Sequence, residues 1–145
     1  SVQYATCCRP VPGDAIVGYL GRGEGLVVHT DQCGVAQRLK YKDSERFIAV
    51  EWADEPTRTF EVAVVVTASN GKGVLARVAS AITGAEADIT HVLMADEVSG
   101  QEAFDLRFVF TVRDKAHLDA VLGNLRRVPA VLQAQRVMSG VGRES

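Results

Sequence analysis

Three cysteines and a histidine are the residues in this chain best placed to do chemistry. Cys7 and Cys8 stand side by side in "YATCCRPVPGD", and His29 and Cys33 follow as H-x3-C. Thiolate and imidazole donors are the set a tetrahedral zinc ion takes. The H-x3-C half has good ligand spacing, since residues four apart on a helical turn project the same way. The C-C half is awkward, because neighbours in an extended strand point to opposite faces. Both thiols reach one ion only if the backbone turns, and Arg9-Pro10 immediately afterwards suits a turn. Three readings stay open at this point: a Cys3His metal site, small thiols buried in a thin core, or a redox pair. The redox pair is the weakest, since a vicinal disulfide is strained and lacks C-x-x-C geometry.

A second stretch, "SNGKG", leads from an apolar strand into a helix. Amides of Gly71, Lys72, Gly73 and Val74 at a helix N-terminus would seat a carboxylate or phosphate. The spacing is not that of a P-loop, and a plain strand-to-helix turn is the competing reading. His91 and His117 have no Ser, Cys or carboxylate partner at useful spacing and read as structural. Asp96, Glu97 and Asp114 read as turn or cap acids, not as a general acid/base pair. No catalytic constellation emerges, so the chain is not expected to be an enzyme by itself.

The elements that must position these groups fall into two parts. "ADEPTRTF" is the best boundary, with Pro56 disfavouring helix before it; this gives units at 1–56 and 57–145. In the first, Ile16-Val17 and Leu26–Val28 flank a glycine-rich turn and read as a hairpin. "DQCGVAQRLK" suits a short helix with Asp31 as N-cap and Val35, Ala36 and Leu39 on one side. "RFIAVEW" reads as another strand. Such a small unit is short of core and a candidate for a staple.

The second unit is more regular. "FEVAVVVTA" suits a strand buried on both faces. Val74, Leu75, Val78, Ala79 and Ile82 have helical spacing. "ADITHVLMADE" is a strand, "VSGQ" a turn, and Phe104, Leu106, Phe108, Phe110 and Val112 alternate along another strand. Asp114 caps a helix carrying Leu118, Val121, Leu122 and Leu125, Pro129 stops it, and "VLQAQRV" closes as a strand. The expected class is α+β: a small β-rich αβ unit, then a ferredoxin-like βαββαβ unit with an antiparallel sheet and two helices on one face.

Composition sets the outer limits. The 145 residues are 47% hydrophobic and 23% charged, a globular balance. A net charge of −2 gives no overall footprint for nucleic acid, although residues 1–42 hold a small basic excess. An odd cysteine count argues against a secreted disulfide framework. No run approaches eighteen apolar residues and no signal segment opens the chain. A cytoplasmic setting is expected, with no membrane partner. The chain starts on Ser and runs straight into a strand, as an excised piece of something longer would.

"CCRPVPGDAIVGYLGRGEGLVVHTDQC" resembles the cysteine-rich segment of long RelA/SpoT-homolog proteins, enzymes that make and hydrolyse the alarmone (p)ppGpp. The βαββαβ unit after it resembles their ACT domain. The resemblance covers nearly the whole chain and implies the regulatory tail, without the hydrolase and synthetase domains that would lie upstream. It implies that Cys7, Cys8, His29 and Cys33 stand where zinc ligands stand in a zinc-finger or ribosome-intersubunit domain, and that ribosomal RNA is a partner. Gln32 stands where some relatives carry an acid. For the ACT unit it implies an amino-acid effector at the strand-to-helix turn, often across a homodimer interface. The turn is Asn70-Gly71-Lys72-Gly73-Val74-Leu75, with Asn for the usual Asp. Amides would hold the ligand carboxylate, Asn70 its ammonium, and Val74, Leu75, Ile89 and Val92 an aliphatic side chain, with Thr90 and His91 in the same segment. Valine or isoleucine is the favoured effector, because this lining offers no partner for a charged side chain.

Overall fold

The computed structural model describes residues 1–53, 58–94 and 102–138. The expected boundary at 54–57, the turn at 98–101 and the acids Asp96 and Glu97 lie outside them. The first unit is a four-stranded sheet in the order β1 (Val2–Tyr4), β3 (Leu26–Thr30), β2 (Ile16–Leu20), β4 (Phe47–Ile48). The expected hairpin is β2 and β3, paired from Ile16↔Thr30 to Leu20↔Leu26. Gly25, at φ 81, closes its turn by accepting the Gly21 amide at 2.8 Å. β1 lies parallel to β3 at one edge.

Two expectations are corrected in this unit. Helix α1 spans Gly34–Lys42 and its N-cap is Cys33, not Asp31. The Asp31 amide is instead bonded to the Ala15 carbonyl at 2.9 Å, so a turn intervenes before the helix starts. The strand expected across "RFIAVEW" shrinks to Phe47–Ile48. Trp52 explains this: its indole N–H donates to the Asp14 carbonyl at 3.0 Å and its ring stacks on Tyr4. That draws the chain out of the sheet.

The second unit runs β5 (Phe60–Ser69), α2 (Val74–Gly84), β6 (Asp88–Met94), β7 (Ala103–Val112), α3 (Lys115–Arg126), β8 (Val131–Arg136). Its sheet order is β6-β7-β5-β8, antiparallel throughout. Register places Val62, Val64 and Val66 opposite Phe110, Phe108 and Leu106, all fully buried under the helices. Val78 and Ile82 of α2 and Leu118, Val121 and Leu125 of α3 fill the same core. β5 is covered by helices on one face only. Glu61 and Thr67 lie on the other, so the continuous apolar run does not mean double burial.

Asp114 caps α3, accepting the His117 amide at 2.8 Å. Asp114→Ala should therefore cost about 1 kcal/mol of stability in urea titration.

The two units share one core. Val11, fully buried, belongs to the cluster built around β5 and β7, and Tyr4 and Trp52 pack against it. The Lys115 amide, at the start of α3, donates to the Pro12 carbonyl at 2.8 Å. Among the described residues the first unit's separate buried cluster is Ala5, Cys8, Cys33 and Ala36, with Val17, Val27, Val35 and Phe47 partly buried against it. Half of it is thiol.

Candidate functional site

The adjacent cysteines meet one point because the chain turns beneath them. β1 ends at Tyr4, the Arg9 amide bonds back to the Ala5 carbonyl at 2.9 Å, and Arg9 takes a left-handed φ of 48°. The Ala5 amide donates to Val28, which seats this turn against the end of β3. His29 lies on β3, and the turn closed by the Cys33 amide on Thr30 brings Cys33 back as the α1 N-cap. His29 and Cys33 thus converge through a strand end and a turn, not through one helical turn as H-x3-C suggests.

The resulting distances are short. Cys7 Sγ lies 3.5 Å from His29 Nδ1 and 3.5 Å from Cys33 Sγ, and Cys8 Sγ lies 3.9 Å from His29 Nδ1. All four donor atoms fall within 4.8 Å of one another. A tetrahedral ion with zinc-like bonds of about 2.0–2.3 Å separates its ligand atoms by roughly 3.3–3.8 Å, so side-chain shifts of about 1 Å would bring all four donors onto one metal ion.

Their surroundings suit that role. Cys8 and Cys33 are fully buried and His29 nearly so, while Cys7 is half-buried. The Thr30 amide donates to Cys8 Sγ at 3.3 Å, as a thiolate wants. A hydrogen bond from Cys7, with help from His29 and Thr30, holds the Cys8 thiol well below its ordinary range. The same contact with Cys8, together with burial, pushes Cys7 up. The contact thus drives the two thiols in opposite directions, with Cys8 the one disposed towards the thiolate.

Sequence reasoning missed two residues behind this turn. Arg136 Nη2 donates to the Arg9 carbonyl at 3.0 Å, and its guanidinium grips Asp14 at 2.6 and 2.9 Å. Both side chains are nine-tenths buried. Nothing local signals a pair so distant in sequence.

The other expected site is spread out. Asn70 extends β5, its amide donating to the Glu102 carbonyl at 2.8 Å. Gly71, Lys72 and Gly73 are exposed, and Gly73 caps α2 at φ 73°, a conformation that suits glycine. Val74 is buried, whereas Leu75 is 41% exposed. Ile89 and Val92 share the helix-side face of the sheet, opposite Phe110 and Phe108. Thr90 and His91 turn to the other face at a bulge. There the Thr90 hydroxyl bonds Glu61 and the Val109 carbonyl, and His91 pairs with Val109.

The two apolar groups are also far apart. Glu102, level with Asn70, and Phe110, level with Ile89, lie eight residues apart on one strand, roughly 26 Å. One chain does not bring Ile89 to the turn. A cleft of about 340 Å³ lined by Tyr4, Thr6, Arg9, Arg58 and Glu61 involves none of these ten residues.

Comparison with known proteins places both units. Residues 1–53 match the RelA/SpoT RIS domain and residues 56–136 an ACT domain. The chain belongs to the RelA/SpoT family. It is 33% identical, over 93% of its length, to the bifunctional (p)ppGpp synthase/hydrolase SpoT of Escherichia coli, and spans 19% of that protein. It is 36% identical, over 94% of its length, to the bifunctional (p)ppGpp synthase/hydrolase RelA of Mycobacterium tuberculosis, spanning 18% of it. The chain thus spans about a fifth of these relatives and corresponds to the ACT regulatory region of RelA/SpoT-type proteins. Among solved structures, the ACT domain from the GTP pyrophosphokinase of Chlorobium tepidum aligns with 55% of this chain and 99% of its own, at TM-score 0.47 and 15% identity. The cysteine cluster lies in the RIS unit and the "SNGKG" turn in the ACT unit. Among the described residues no helix is long and apolar enough to cross a membrane.

Proposed function

We propose that this RIS–ACT pair, divided near 56/57, is the ligand-sensing regulatory region of a (p)ppGpp synthase/hydrolase. In this reading zinc staples the RIS unit through Cys7, Cys8, His29 and Cys33. The ACT unit takes valine or isoleucine and shifts the balance of synthesis and hydrolysis in catalytic domains upstream in the same chain. Coupling of that kind requires the amino acid to bind one enzyme state more tightly than the other.

The observation that carries the amino-acid reading is the exposed turn at residues 70–73, at the open end of an apolar sheet edge. Val92, Leu93 and Met94 on edge strand β6 are 46%, 64% and 51% exposed, which is unusual for an unpartnered edge. A second copy whose β6 runs antiparallel to this one covers that edge about a two-fold axis. It also sets its own Ile89 end beside this chain's Met94 end, towards the turn. Dimerisation thereby supports a pocket that one chain leaves in two halves. Calorimetric titration with each of the twenty amino acids tests the reading: heat is expected with valine, isoleucine or leucine, and none with any of the three refutes it.

A second reading, compatible with the first, is docking of the RIS unit on ribosomal RNA. Tyr41 on α1 is 93% exposed, between exposed Arg38, Lys40 and Lys42. A free aromatic face among cations suits base stacking and phosphate contact. Arg9 is not part of this surface, because it is paired with Glu61 at 3.0 Å. Arg38→Glu with Lys40→Glu should weaken ribosome association of the full-length enzyme at least tenfold in a sedimentation assay, and unchanged association would count against docking through α1.

A further inference from the structure

The metal-ligand turn is held from both ends, and the two holds belong to different units. On its N-terminal side the Ala5 amide donates to Val28 of β3, inside the RIS unit. On its C-terminal side the next residue after the double cysteine, Arg9, gives its carbonyl to Arg136, the last residue of ACT strand β8. Arg136 is itself fixed by a two-point pair with Asp14, and the same carboxylate accepts the Val11 amide at 2.8 Å. Between these contacts Pro10 is buried and Val11 is sealed into the ACT core. Pro12 then accepts the first amide of α3. Gly13 allows no side chain at all: a Cβ there would meet Lys115 Cβ at 2.8 Å. Residues 9–14 therefore cannot shift without disturbing β8 and α3.

We propose that Arg136 and Asp14 are positioning residues for the RIS metal centre, so that metal binding and the conformation of ACT strand β8 are one linked equilibrium. Arg136 touches no ligand atom. It acts through the Arg9 carbonyl, which sets the left-handed turn that aims Cys8 and Cys7 at His29 and Cys33. Groups bonded directly to a metal's ligands orient them, and their loss weakens binding by roughly 10–100-fold; Arg136 does the same to the turn that carries two of the ligands, one bond further out. Because linkage is reciprocal, metal must in turn tighten the ACT contacts made by residues 9–14. This inference rests on the reading that the four residues hold a metal.

Cobalt(II), which reports tetrahedral thiolate ligation by its visible absorption, is the probe. It is titrated into the full 145-residue chain, into Arg136→Gln, and into Leu122→Ala, which damages the ACT core away from the turn. Arg136→Gln is expected to bind at least tenfold more weakly with an altered spectrum, while Leu122→Ala binds as the parent does. Arg136→Gln binding as tightly as the parent overturns the inference, as does equal weakening by Leu122→Ala. A parent chain that takes up no cobalt overturns both this inference and the metal reading beneath it. A second measurement needs no substitution. Hydrogen exchange at the Lys115 and Val137 amides should slow on cobalt loading of the parent chain, and unchanged exchange with metal bound contradicts the linkage.

Discussion

Cys8→Ser is expected to reduce zinc in the purified chain from about one ion to none and to unfold the RIS unit. The reason is the size of the core it would leave. Among the described residues, Ala5, Cys8, Cys33 and Ala36 are the buried members of that unit's own cluster, and a domain of roughly 50 residues has little stability to spare. Structural zinc supplies on the order of 10–16 kcal/mol of apparent binding energy to small folds, more than such a core can replace. Serine keeps the shape but gives up the thiolate that the Thr30 amide and Cys7 support. Metal analysis by plasma emission and a thermal melt of the same sample check this together. A chelator, or acid that protonates the thiolates, should reproduce the unfolding in the parent chain. The ACT unit should keep its strands, weakened where Val11 and Trp52 enter its core. A Cys8→Ser chain that retains zinc and melts like the parent would remove the metal from the account.

Asp14→Ala carries the second large effect, a loss of roughly 3–5 kcal/mol in urea denaturation. Removing one partner of a buried ion pair leaves the other charge uncompensated, which costs far more than the pair contributes when intact. Asp14 and Arg136 expose only 5% and 8% of their side chains, so solvent cannot take over. The change also orphans the Val11 amide, which Asp14 accepts at 2.8 Å. Asp14→Asn should lose less, because an amide oxygen still serves Val11 although the charge is gone. A loss under about 1 kcal/mol for Asp14→Ala would place the pair among ordinary surface bridges. It would also weaken the case that the two units fold as one body.

What the sequence made legible follows the range of the interactions involved. The alternation from Phe104 to Val112 reads as a strand and is one, since a period of two is a local property. Asp114 caps its helix because the capping geometry spans three residues. The candidate ligands were legible as types and spacing, and so was the need for a turn beside Arg9-Pro10; its left-handed form was not, because Arg9 at positive φ is held by Arg136 from the far end of the chain. Asp31 fails as a cap because a turn intervenes and Cys33 occupies that position. Asp14 and Arg136 are 122 residues apart, and no periodicity connects them. Ile89 and Val92 have the right chemistry for an aliphatic pocket. Sheet register places them six to eight residues from the turn they were expected to serve, and only register could reveal that.

Amino-acid sensing by the ACT unit, at a site two copies build, is the reading with the widest consequences for regulation. It is tested most directly by titrating valine into the full chain and into Leu93→Lys, with sedimentation of both. The parent is expected to be a dimer that binds valine with a Kd of about 1 mM or tighter, some −4 kcal/mol. The Leu93→Lys chain is expected to be a folded monomer that binds none. Valine binding by the monomer with undiminished affinity would contradict the shared site, and no binding by the dimer would contradict amino-acid sensing itself.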